Sequence, residues 1–291
     1  MARLNFFLYI FFTVFVFISC SKQIPDDSNT ESRFEVLTYD SDLSESLTLD
    51  ISEIQLGVPR GYTYWSKSFQ NPNNNLGHME SSASFSSKRN IFSNMGNSLN
   101  LFQPIFFENN LCHVINKGQL QCKNIENKEI AFSINIKPEG NKKYEIVRGG
   151  LAYFDNVIIF VDAYGQIKAI NSNDGSIIWE KKVDYPILSA PLIYRDQIFL
   201  ISADNRVFSI DFKSGSIIWS FQTIEEAKMN LFSASPAATE NVIVAPFSSG
   251  EIIAFKYDDG QVLWSENTSK ISIISNFNLK DISANPIISG S

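Results

Sequence analysis

A fifteen-residue unit occurs three times in this chain and constrains its fold more than any other feature. The first copy runs from Gly165 to Trp179 as Gly-Gln-Ile-Lys-Ala-Ile-Asn-Ser-Asn-Asp-Gly-Ser-Ile-Ile-Trp. The second, Asn205 to Trp219, ends Ser-Gly-Ser-Ile-Ile-Trp, and the third, Gly250 to Trp264, ends Asp-Gly-Gln-Val-Leu-Trp. The three tryptophans stand 40 and 45 residues apart. A period of about 40–45 residues is that of a four-stranded propeller blade. The interval inside each copy is constant while the spacing between copies is not, so insertions fall in the connections.

Each copy reads as β-structure. Val157-Ile-Ile-Phe-Val161 is a short β-branched apolar run of the kind a buried strand requires. Gln166 to Ile170 alternates polar and apolar side chains, and Asp174-Gly175 supplies the next tight turn. Ser176-Ile-Ile-Trp179 then opens a fourth strand. The second copy follows the same order, with its turn at Ser214-Gly215. Small residues precede each unit at Gly149-Gly150, Ser189-Ala190-Pro191, Ala234-Ser235-Pro236 and Ala284-Asn285-Pro286. Proline is tolerated there because the first residue of a strand need not donate to the ladder. A degenerate copy comes earlier: Pro104 to Phe107, Asn110 to Ile115, a turn at Asn116-Lys117-Gly118, then Gln119 to Lys123. The chain is therefore expected to be all-β, a β-propeller of four-stranded antiparallel blades, with about four to five blades present. One large ring at a fixed place per repeat predicts that Trp179, Trp219 and Trp264 wedge neighbouring sheets together.

Outside the repeats the chain divides by composition. Residues 1–20 read as a lipoprotein signal peptide. The apolar run Phe6 to Ile18 is shorter than the roughly 20 residues of a membrane span, and it ends in Phe17-Ile-Ser-Cys20, making Cys20 the expected lipidation site. Residues 21–60 read as a flexible tether and N-terminal segment, with Leu47 to Ile54 suggesting one strand. Residues 61–291 are the expected propeller. Thr63 to Ser66 suggests a strand there, and Gln70 to His78 an Asn-rich loop. A last unit opens at Asp281-Ile-Ser-Ala-Asn-Pro286 and reaches Ser291 within its first strands, so an incomplete, C-terminally truncated ring is expected.

Composition and motifs narrow the chemistry. A net charge of −7, with 19% charged residues, predicts no basic face and makes nucleic acid a poor partner. The chain has no G-x-S-x-G, H-E-x-x-H, C-x-x-C or phosphate-binding loop, and only two histidines, His78 and His113. Asp162, Asp174, Asp204, Asp258 and Asp259 all fall at expected hairpin turns, where aspartate bonds the backbone. No catalytic residue, metal or cofactor is expected, and the chain is read as a non-enzyme. Cys112 and Cys122 are equidistant from Lys117, so a hairpin would set them opposite each other. Both a disulfide and two buried thiols are compatible with that spacing.

The repeats resemble the tryptophan-docking units of quinoprotein-type propellers. Trp65 to Gly77-His78, Gly149-Gly150-Leu-Ala-Tyr153, Ser233-Ala-Ser-Pro236, Pro246-Phe-Ser-Ser-Gly250-Glu and Asp281 to Pro286 are similar to the outer membrane assembly factor BamB family, in its α-proteobacterial form. That resemblance implies an eight-bladed propeller lipoprotein, anchored in the outer membrane and facing the periplasm. It implies a scaffold that binds BamA and other barrel-assembly components, and unfolded outer membrane proteins as possible clients. Residue by residue, Asp281 matches the first aspartate of the family's Asp-x-Asp contact run, and Ser283 replaces the second. Lys228, Met229 and Leu231 fall in the loop matching the family's second contact. For Asp281 a plain turn role fits equally well. Two other readings are a fragment of a quinoprotein dehydrogenase, using pyrroloquinoline quinone and calcium, and a membrane-anchored propeller with another partner.

Overall fold

The computed structural model describes residues 57–80, 102–115, 118–138, 148–223, 234–268 and 281–289. The chain divides into two units, Met1–Gln55 and Leu56–Ser291, and every described residue belongs to the second. The suggested strand at Leu47 to Ile54 lies outside the described residues.

Four antiparallel four-stranded sheets follow one another along the chain. Blade 1 comprises β1 (Ile105–Phe107), β2 (Asn110–Ile115), β3 (Gln119–Asn124) and β4 (Ile130–Asn135). Blade 2 comprises β5 (Gly149–Phe154), β6 (Val157–Asp162), β7 (Gln166–Asn171) and β8 (Ile177–Lys182). Blade 3 comprises β9 (Leu192–Tyr194), β10 (Gln197–Ile201), β11 (Arg206–Asp211) and β12 (Ile217–Gln222). Blade 4 comprises β13 (Ala237–Thr239), β14 (Val242–Pro246), β15 (Glu251–Lys256) and β16 (Val262–Asn267). Each sheet is a meander, with strands paired in chain order. The degenerate copy around Gly118 is thus a complete blade, and the repeated unit is the third and fourth strands of each of the other three.

The hydrophobic cores lie between sheets. One joins Ile105, Leu120 and Phe132 of blade 1 to Ile158 and Phe160 of blade 2, and a second joins Ile159 and Ile167 to Ile198 and Phe208. A third joins Phe199 and Trp219 of blade 3 to Ile253 and Phe255 of blade 4. First strands of neighbouring blades also approach one another, and Phe107 of β1 stacks on Tyr153 of β5 at 3.8 Å between ring centroids.

A β-bulge recurs in all four sheets and aims the docking side chain. Ala169 pairs with Trp179 but Ile170 pairs with Ile177, which leaves Ile178 as the extra residue. The same shift occurs between Ser209 and Ile210, between Ala254 and Phe255, and between Cys122 and Lys123. A bulge turns the following side chain relative to the pleat. Here it sends Phe132, Trp179 and Trp219 toward the next blade, whereas Trp264, expected to wedge in the same way, is 46% exposed because no sheet packs on it among the described residues. The Trp179 indole N–H donates to Phe212 O at 3.1 Å and that of Trp219 to Tyr257 O at 3.0 Å. Gly215 and Gly260 hold φ of +72° and +71°, and a Cβ at either would come within 2.7 Å of the docked indole. Glycine is needed there both for the left-handed backbone and for the absent side chain. In blade 1 Phe132 takes the tryptophan's place, lying against Gly175 of blade 2.

In blade 1 the β2–β3 register sets Cys112 directly against Cys122, and a disulfide joins them in the buried core. The strand expected at Thr63 to Ser66 does not form. The correction is physical: Trp65 makes one isolated bridge to Phe106, and the next bridge, Lys67 to Ala152, is to a different blade.

Candidate interaction site

The segment from Trp65 to Asn74 is built into the face made by the first strands. Trp65 N donates to Phe106 O at 2.7 Å, and Phe106 N returns a bond of 2.9 Å. Tyr153 N of β5 donates to Ser66 O at 2.7 Å, and Ala238 N of β13 donates to Pro72 O at 2.9 Å. Asn74 Nδ2 reaches Pro286 O at 2.9 Å, and Ile288 N donates to Asn73 O at 3.0 Å. One irregular stretch therefore ties blades 1, 2 and 4 to the irregular segment at Pro286 and Ile288. Lys67 is only 3% exposed, and its Nζ donates to Asn74 Oδ1 at 2.6 Å and Asn71 O at 3.0 Å. Both acceptors are neutral, and burial pushes the amine down to about 7.

Asp281 lies at the boundary of blades 3 and 4. It lines a narrow cleft with Ser202 and Asn205 from blade 3 and Pro246 and Ser248 from blade 4. Asn205 Oδ1 closes the floor by accepting from Ser248 N at 3.0 Å and Ser248 Oγ at 2.6 Å. Asp281 Oδ1 is buried without a hydrogen-bond partner among the described residues, and desolvation raises its carboxyl above the ordinary range. Nearby, Ser235 N donates to Asn285 Oδ1 at 2.8 Å. That bond sets the entry to blade 4 beside Asn285. Lys228, Met229 and Leu231 precede blade 4 and lie outside the described residues, as does Cys20.

Four aspartates serve turns. Asp174 accepts from Ser176, Asp211 from Ser214 and Asp259 from Gln261, and these bonds lower all three carboxyls. Asp162 Oδ1 accepts from Tyr164 N and Gln166 N, each at 2.9 Å. His78 Nδ1 bonds Gly57 O at 2.8 Å. Among the described residues no group of three or more His, Cys, Asp or Glu is placed to hold a metal ion. The sequence reading marked Trp65 to His78 as a family resemblance and Gln70 to His78 as an Asn-rich loop, but it did not single out Lys67 or the bonds that tie the segment to the blades.

Comparison with known proteins follows from this geometry. A family model described as outer membrane protein assembly factor BamB matches residues 102–291. The outer membrane protein assembly factor BamB of Yersinia pestis is 24% identical over 162 residues, which are 50% of this chain and 41% of the relative. The crystal structure of BamB from Moraxella catarrhalis aligns with a TM-score of 0.56 at 18% identity, over 65% of this chain and 55% of that one. A europium-containing methanol dehydrogenase aligns with a TM-score of 0.56 at 15% identity, over 70% and 49%. At such identities the two structural likenesses establish the propeller fold alone. The chain spans about half the length, or less, of these relatives. Blades 1 to 4 all fall within the matched family model, and the chain belongs to the outer membrane protein assembly factor BamB family.

Proposed function

We propose that this protein is a non-enzymatic scaffold of the outer membrane β-barrel assembly machinery. It docks on BamA and aids insertion of barrel proteins. The observation that carries this reading is the family match across all four described blades. The geometry supports it in two ways. The Ser235–Asn285 bond joins the entry to blade 4 to the segment that follows Asp281. Asp281 also offers a desolvated acceptor with no donor among the described residues, which a partner's N–H or guanidinium would satisfy. The contact surface proposed is Asp281 with Lys228, Met229 and Leu231, a mixed polar and apolar set suited to an interface centre. Residues 61–291 form the propeller portion, residues 21–60 the tether, and residues 1–20 the signal peptide that ends at the lipidated Cys20. The location proposed is the outer membrane, facing the periplasm.

Tagged full-length protein, solubilised from outer membranes, is expected to retain BamA. Capture of a different protein with no BamA would favour the alternative of a membrane-anchored propeller with another partner. Cys20→Ala is expected to abolish palmitate labelling and release the protein from the membrane. Label persisting in that variant contradicts the lipid assignment.

The likeness to a methanol dehydrogenase favours a second reading, a quinoprotein fragment binding pyrroloquinoline quinone and calcium. The described residues do not fit that group. No acidic cluster gathers for a metal, Cys112 and Cys122 pair across strands instead of as chain neighbours, and Trp65–Asn74 occupies the face of the first strands.

A further inference from the structure

Average composition conceals a local excess of positive charge. A cleft of about 780 Å³ lies between the end of blade 1 and the outer strands of blade 2, lined by Lys137, Lys168, Lys181 and Lys182, with Glu180 and Tyr164. Four lysines and one glutamate meet there in a chain whose net charge is −7. Lys137 and Lys182 are far apart in sequence, and only the packing of two blades brings them to one cleft. Cross-strand pairing sets Lys168 against Glu180 and Gln166 against Lys182 on one face of the sheet. Lys168 Nζ bonds Glu180 Oε2 at 2.6 Å, so that pair is neutral. Lys137, Lys181 and Lys182 have no carboxylate partner among the described residues. Trp179 docks toward blade 3, so this cleft is not part of the aromatic junction.

The lysines also mark blade 2 apart from its repeat. β8 ends Glu-Lys-Lys, whereas the corresponding strand of blade 3, β12, reads Ile-Ile-Trp-Ser-Phe-Gln with no charge. Both are outermost strands, and no further strand pairs with them among the described residues. Cations along an open edge repel unselective pairing with apolar strands. The same cations favour an extended segment that brings carboxylates, since main-chain bonds to the edge supply affinity and the lysines supply selectivity.

We propose that the blade 1–blade 2 cleft binds an extended acidic polypeptide segment, with its carboxylates meeting Lys137 and Lys182 and its backbone lying along β8. This inference does not depend on the BamA reading, because the cleft and the Asp281 boundary involve different blades. The test is fluorescence anisotropy on the full chain with a labelled peptide of alternating Glu and Val, beside one of alternating Gln and Val. Only the glutamate peptide is expected to bind, and its affinity falls as salt rises. Lys137→Gln with Lys182→Gln is expected to weaken binding about tenfold at an unchanged melting temperature, while Lys182→Arg retains it. Equal binding of the two peptides, or an unaffected double variant, overturns the proposal. So does capture of phosphatidylglycerol vesicles with no binding of the glutamate peptide, which would make the cleft a membrane contact.

Discussion

Trp219→Ala is expected to lower the unfolding free energy by about 3–5 kcal/mol, the range for truncating a buried aromatic. The ring is 9% exposed, lies against Gly260 and packs near Phe199 and Phe255. Its loss opens a cavity between two blades and leaves Tyr257 O without its donor. Trp264 gives the matching control. It holds the same place in blade 4 but is 46% exposed among the described residues. In the 291-residue chain, Trp264→Ala should cost no more than about 1–2 kcal/mol. Denaturant titrations of both variants check this, and equal losses would contradict aromatic docking as the source of stability.

The second large effect concerns Lys67. Its folded-state value of about 7 lies below the ordinary 10.5, because burial disfavours the ammonium. Between those values the unfolded chain holds a proton that the folded chain has shed. Stability therefore rises with pH across that window, by up to about 1.4 kcal/mol per pH unit. Below about pH 7 both states are protonated and the loss levels off. Tyr257 and Tyr153 act in the opposite sense: their phenols are raised, chiefly by burial, so their contribution declines only above the ordinary tyrosine value near 10. Thermal unfolding from pH 7 to 9 isolates the lysine. Wild type should gain stability across that range, and Lys67→Met should lose the gain. A parallel slope in the variant would assign the effect to another group.

These two sites differ in how far the sequence discloses them. The tryptophan period, the turn glycines and the β-branched runs carry the blade, because strand pairing and aromatic docking are local and repeat with it. The bulge is also visible, since Ile177-Ile178 and Val262-Leu263 break strict alternation just before each tryptophan. Lys67 is not visible. The bonds that bury it run between irregular backbone and three separate sheets, and such bonds leave no periodic trace in side-chain chemistry. The basic cleft was hidden for a related reason, because its lysines are assembled by blade packing. Asp281 was legible as a candidate only through the family resemblance of its Asp-x-Asp position, and its buried oxygen without a partner among the described residues emerges only from the contact between blades 3 and 4.

The central claim is the proposed recognition of BamA through a surface that includes Leu231 and Asp281. Its most direct measurement is capture of BamA by full-length protein carrying Leu231→Ala and Asp281→Ala together, with the melting temperature taken on the same sample. The account predicts weakened capture at an unchanged melting temperature, since Asp281 Oδ1 accepts no hydrogen bond among the described residues. Undiminished capture would contradict it and move the interface to another part of the propeller. Loss of folding together with capture would contradict it as well, making these positions structural.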